Sequence, residues 1–144
     1  MMRFLAPLLA LLLAGPALAL DFHSVAEATV LYDAPSQKAK PLFAIARGTP
    51  LELVVTVEGW VKVRDQKGDL AWIEKRLLAE KRTVIVRADR AQVRAQADDK
   101  APLVFDAEKD VVLDLVDSAA AGWAKVRHRD GQLGFVKAAQ VWGL

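Results

Sequence analysis

The sequence predicts an all-β chain of two small barrels in tandem, about five strands each, preceded by an apolar N-terminal helix. Three observations carry this prediction. The stretch from Gly59 to Ile73 returns at an offset of 63 as Gly122 to Val136. Within both copies apolar and polar side chains alternate with the period of a strand rather than a helix. The chain opens on an apolar run that ends in small residues.

The opening run begins with Arg3, continues through apolar residues from Phe4 to Leu13, breaks at Gly15-Pro16 and ends in Ala17-Leu18-Ala19. This basic, apolar, small order is that of a secretory signal peptide, residues 1–19, with cleavage expected after Ala19 and a periplasmic or extracellular mature protein. Pro7 interrupts the run, which falls short of the roughly 20 apolar residues that span a bilayer, so no stable membrane insertion is expected after cleavage. The chain has no cysteine, which removes a lipid anchor at the cleavage site, disulfide staples and thiolate chemistry together. Residues 20–27 read as a short tail containing His23, residues 28–86 as the first barrel and residues 87–144 as the second.

Seven of the fifteen positions in the repeated stretch are identical, including Gly59/Gly122, Trp60/Trp123, Lys62/Lys125, Val63/Val126 and Arg64/Arg127. Such self-similarity marks a duplicated structural unit. Upstream, Ala28, Val30 and Ala34 meet Ala91, Val93 and Ala97 at the same offset, which sets Tyr32 against Ala95. Leu51 to Val54 meets Leu113 to Val116 at 62, implying one inserted residue before the second Gly-Trp. Pro50 to Val57 and Val111 to Asp117 are β-branched runs. Trp60 to Arg64 and Leu70 to Glu74 alternate on either side of a turn, a hairpin signature, and the second turn contains the hairpin dipeptide Asp130-Gly131. One helical turn follows each hairpin, at Lys75 to Leu78 and Lys137 to Gln140. Thr83 to Val86 and Val141-Trp142 then read as the last strands of the two units. The link from Ala79 to Arg90 has no Gly, Pro or Ser, so a fixed two-lobed body is expected rather than domains on a flexible string.

Gly59 to Ile73 and Gly122 to Val136 resemble the core motif of bacterial SH3 (SH3b) domains, and Ala91-Gln92-Val93-Arg94 resembles the Asn-Val-Arg opening of that family. Ala28 to Tyr32 lacks both the Asn and the Arg. The resemblance implies two SH3-like barrels and, as default ligand class, cell-wall peptide or peptidoglycan.

A four-residue turn from Asp65 to Gly68 would pair Val63 with Leu70 and Val61 with Trp72, giving a core face of Val61, Val63, Leu70 and Trp72, and in the second copy of Ala124, Val126, Leu133 and Phe135. Trp60, Lys62 and Arg64, with Trp123, Lys125 and Arg127, then face outward. An indole beside cations offers a flat apolar surface next to hydrogen-bond donors, suited to a glycan or an extended peptide; the alternative is an indole shielded by the stems of its Lys and Arg neighbours. The candidate ligand-binding residues are Tyr32, Trp60, Lys62, Trp123 and Lys125, Tyr32 because it opens the long loop to Thr49.

Charge is laid out in blocks. Lys75 to Arg94 carries a net of +5 and Ala95 to Asp117 a net of −5. The blocks read either as solvated surfaces or as a basic inter-domain seam at Arg82, Arg87 and Arg90, suited to an anionic partner or an envelope protein. The overall formal charge of +2 includes Arg3 and leaves no nucleic-acid footprint. The only histidines, His23 and His128, lie far apart and suggest no metal site. Ser24, Ser36 and Ser118 sit in no nucleophile context, and adjacent Asp98-Asp99 reads as solvated. No cofactor or catalytic residue is expected. The sequence thus favours a non-catalytic exported binding module over an envelope scaffold, and a scaffold over a hydrolase.

Overall fold

The computed structural model describes residues 20–118 and 121–144; the expected signal peptide lies outside the described residues. The described chain is all-β, with two single turns of 3-10 helix at Lys75–Leu77 and Ala138–Gln140. The first seven strands are β1 (Phe22–Val25), β2 (Thr29–Tyr32), β3 (Pro41–Ile45), β4 (Pro50–Val57), β5 (Trp60–Arg64), β6 (Leu70–Glu74) and β7 (Leu78–Ala79). The second seven are β8 (Thr83–Val86), β9 (Arg90–Arg94), β10 (Leu103–Glu108), β11 (Val112–Asp117), β12 (Trp123–Arg127), β13 (Leu133–Lys137) and β14 (Val141–Trp142).

Each set forms one antiparallel sheet, in the orders β3-β2-β6-β5-β4-β1-β7 and β10-β9-β13-β12-β11-β8-β14. Adding seven to every label turns the first order into the second, so the duplication seen in sequence is a duplication of topology. The first core gathers Val25, Leu31, Leu51, Val61, Val63 and Ile73; the second gathers Val84, Val86, Val93, Leu113, Val126 and Val136. These side chains come from alternate positions along each strand, as a sheet buried on one face requires.

Strand assignments differ from the sequence reading: each unit has seven strands rather than about five, and Pro41–Ile45 pairs with β2 within the stretch expected to be a long loop from Tyr32 to Thr49. Phe22–Val25 is not a tail: it pairs with β4 and β7, and Phe22, Ser24 and Val25 are buried. Thr83–Val86 does not close the first unit. It pairs with β11 and β14 and opens the second, while Leu78–Ala79 closes the first in the place that Val141–Trp142 takes in the second. Each unit therefore begins one strand earlier than its sequence motif, because the opening strand has little sequence in common between copies. Phe22-His23-Ser24-Val25 stands where Thr83-Val84-Ile85-Val86 stands.

The hairpin register is also shifted by one. Five residues, Asp65 to Asp69, make the turn: the Asp65 N–H donates to the Asp69 carbonyl (3.0 Å), the Gly68 N–H donates to the Asp65 carbonyl (3.0 Å), and Asp65 Oδ1 accepts from the Lys67 and Asp69 amides. Gly68 has φ +87°, the left-handed conformation a three-residue hairpin with a glycine bulge needs. His128 to Gln132 repeats the two backbone bonds. The facing pairs are consequently Val63 with Ala71 and Val61 with Ile73. A slip of one residue exchanges the faces of a strand, so Ala71 and Ile73 are core, and Leu70 and Trp72 turn outward. Gly134, Val136, Leu133 and Phe135 behave alike in the second lobe. The small residue matters there, because a Cβ on Gly134 would come within 2.9 Å of the Arg94 carbonyl oxygen.

The lobes are docked through specific contacts. Phe22 of the first meets Trp142 of the second edge to face at 5.1 Å, Thr83 Oγ1 donates to the Gly48 carbonyl (2.6 Å), and Gln66 Nε2 donates to Asp110 Oδ1 (3.0 Å).

Candidate functional site

The corrected register assembles a surface the sequence reading divided between core and solvent. Residues directly opposite in antiparallel strands share a face, so the pairings Val55–Lys62, Lys62–Trp72, Tyr32–Trp72 and Tyr32–Pro41 define one continuous outward row over five strands. Beside it runs a second row, Val57, Trp60 and Glu74. Tyr32 and Trp60 link the rows edge to face, with ring centroids 5.8 Å apart at 82°. The result is a platform of Tyr32, Trp60 and Trp72 around Lys62, all half-buried. Val55 and Val57 extend it as exposed apolar side chains. Tyr32, Trp60 and Lys62 were named from the sequence. Trp72, expected in the core, faces outward, and the sequence signal for that is Asp65 with Gly68 three residues on, the preferred ends of the type I turn within a bulged hairpin.

The loop after Tyr32 is fastened to the platform's edge. Gln37 Nε2 donates to Glu74 Oε1 at 2.6 Å, and Arg76 Nε donates to Glu74 Oε2 at 2.7 Å. The Gln37 hydrogen bond is the main cause holding the Glu74 carboxyl below its ordinary pKa, helped by Arg76 and opposed by burial.

The second lobe has the same geometry and different chemistry. Its row reads Asp117, Lys125, Phe135, Arg94 and Leu103. Structure therefore sets Arg94, not Ala95, against Tyr32: the offset is 61 over the opening strand, 62 from β2 through β4 and 63 from Gly59 onward. Arg94 bonds within its own lobe, donating to the Ala101 carbonyl (2.9 Å) and to Gln92 Oε1 (2.8 Å). Trp123 is opposite Lys137, whose Nζ lies 6.0 Å from the ring centroid and 2.7 Å from Asp99 Oδ1. Trp123 and Lys125 thus sit in a charged surface and do not meet the first platform's residues.

The basic seam is not assembled as a unit. Arg82 is half-buried between the lobes, with Nη2 donating to the Gly143 carbonyl (2.8 Å) and the guanidinium 5.5 Å from the Phe22 ring centroid. Arg87 Nε donates to the Ala139 carbonyl (3.3 Å), and Arg90 is exposed on β9. Arg82 acts as an interlobe clamp. His128 pairs with Asp130 (3.1 Å), and the Asp130 carboxyl is held below its ordinary pKa first by the Gln132 amide and then by His128. Among the described residues no group of three or more His, Asp or Glu converges as metal ligands would.

The family described as "Bacterial SH3 domain" matches the chain twice, over residues 25–80 and 87–143. No curated protein matches. Similar solved structures include NlpC2 from Trichomonas vaginalis (11% identity, TM-score 0.40, covering 86% of this chain and 48% of that one) and NlpC1 from the same organism (12%, 0.41, 89% and 47%). An NlpC/P60 family protein from Bacillus cereus is similar at 13% identity and TM-score 0.39, covering 84% and 55%. The chain spans about half the length of these structures.

Proposed function

Given that the chain belongs to the bacterial SH3 domain family, we propose that it is an exported, non-catalytic binding protein of the cell envelope whose first lobe recognises extended cell-wall peptide on peptidoglycan. The observation that carries this reading is the outward row Val55, Lys62, Trp72, Tyr32 and Pro41, joined to Trp60 by the Tyr32 ring.

Five positions at the roughly 4.8 Å spacing of neighbouring strands extend over about 19 Å, the length of about six residues of extended chain at 3.3 Å each. Aromatic rings supply rigid contact area at small entropic cost, while the Tyr hydroxyl and indole N–H can bond a peptide backbone. Lys62 at the centre suits a ligand carboxylate. A peptide that is already extended loses little freedom on docking, which favours this mode over one that must fold.

Sedimentation of the protein with purified sacculi tests the reading. Retention above a control protein of similar charge is expected, with loss on Trp60→Ala or Trp72→Ala. Retention equal to the control, or unaffected by both substitutions, would reject it.

A further inference from the structure

A groove of about 880 Å³ runs between the lobes, away from the aromatic platform's residues. Its apolar lining includes Val25, Ala26, Ala46 and Val112, and Arg47 and Arg129 stand on it from opposite lobes. Arg47 lies in the turn between β3 and β4, and Arg129 in the turn between β12 and β13. Two acids also line it, and both are engaged: Asp114 pairs with Lys81 at 3.3 Å and Asp110 accepts the Gln66 amide. His128, a further lining residue, is paired with Asp130. Among the described residues Arg47 and Arg129 have neither an ion pair nor a side-chain hydrogen bond and are exposed.

Ligand pockets commonly enclose about 300–1,000 Å³ and favour domain interfaces. The groove's lining residues Thr83 and Gly48 are joined across the lobes, and its Asp110 is held by Gln66 of the first lobe. A guanidinium presents a planar fork matched to a carboxylate, and here two such residues line one groove from separate lobes beside aliphatic side chains. The two forks are carried by separate lobes, so a ligand with a carboxylate at each end can use both, whereas a compact anion offers a single group. We propose that the groove is a second binding site, for an aliphatic dicarboxylate whose two ends engage Arg47 and Arg129 and whose methylenes cover the Ala and Val lining. Occupancy would bridge the lobes.

Titration of the protein with adipate, followed by backbone amide NMR, tests the site, with adipamide as neutral isostere and inorganic phosphate as compact anion. Saturable shifts at Gly48, Val112 and Arg129 are expected for adipate and not for adipamide, weakened roughly tenfold or more by Arg47→Gln or Arg129→Gln, the loss of about one charge-assisted contact. Arg47→Lys, which keeps charge and loses the fork, should fall between. Tyr32→Ala should leave the titration unchanged, which separates this site from the peptide platform. The proposal is overturned by absent or non-saturating shifts, by adipate binding that survives both Gln substitutions, or by phosphate producing the same shifts at equal concentration.

Discussion

Lys137 Nζ lies 2.7 Å from Asp99 Oδ1 and 6.0 Å from the centre of the Trp123 ring, joining the long loop of the second lobe to its indole. The first lobe makes the same tether with other groups: Gln37 takes the place of Asp99, and Glu74 that of Lys137. Trp60 meets the Tyr32 ring, whereas the Lys137 ammonium lies over Trp123 in a lobe that carries Arg94 where the first carries Tyr32. One architecture thereby holds an open aromatic surface and a charged one.

Removal of the cover should expose the second indole. In Lys137→Ala, the Trp123 Nε1–H resonance is expected to exchange faster with water and to become more sensitive to a soluble paramagnetic probe. Stability should fall by no more than about 1 kcal/mol, since exposed ion pairs contribute that or less. An unchanged Trp123 resonance would show that Lys137 does not shield the ring.

The register makes a contrast between neighbours. Ile73→Ala removes a fully buried side chain and should cost about 2–5 kcal/mol in urea unfolding, as large-to-small core substitutions do. Trp72→Ala, on the outward face, should cost clearly less. In the second lobe Gly134→Ala drives a methyl toward the Arg94 carbonyl and should destabilise by about 1–3 kcal/mol through overpacking. The opposite order for Ile73 and Trp72 would restore the four-residue turn.

Much of this fold was legible because the duplicated hairpin carries its own evidence. Gly59 and Gly122, the alternation around Val63 and Val126, and the family motif led to two all-β units. The parts that were not legible share one cause: strand pairing depends on backbone bonds that leave little trace in residue type. Phe22–Val25 and Thr83–Val86 occupy equivalent places without similar sequences. Ala71 and Trp72 are adjacent, and only the length of the Asp65 turn decides which of them is inside. Tyr32, Trp60 and Lys62 could be picked out singly; their meeting with Trp72 needed the register. The groove between Arg47 and Arg129 joins residues from separate lobes, which no local pattern connects.

Arg82 gives a test of the clamp. Arg82→Ala removes the bond to the Gly143 carbonyl and the contact with Phe22, and should lower stability by about 1.5–3 kcal/mol, the usual range for a hydrogen bond to a charged group. Sacculus retention at a temperature where the variant is folded should be unaffected. Loss of retention without loss of stability would instead make Arg82 a ligand contact.

Glu74 provides a pH-dependent probe of the loop beside the platform. Its carboxyl is depressed in the folded state chiefly by Gln37, so the stability it contributes is present above its unfolded pKa and lost as pH falls through the folded value. Gln37→Ala should raise the Glu74 midpoint toward the ordinary carboxylate value when followed by side-chain carboxyl NMR. An unshifted midpoint would mean that the loop is not held by this bond.

The most direct test of the account is sacculus retention of Tyr32→Arg, which places on the first lobe the residue the second lobe carries at Arg94. Loss of one central aromatic contact of about 2 kcal/mol corresponds to a fall in affinity of roughly thirtyfold, so retention should drop to near the control while the fold persists. Retention equal to the unsubstituted protein would contradict the claim that the Tyr32, Trp60 and Trp72 platform is where this protein binds.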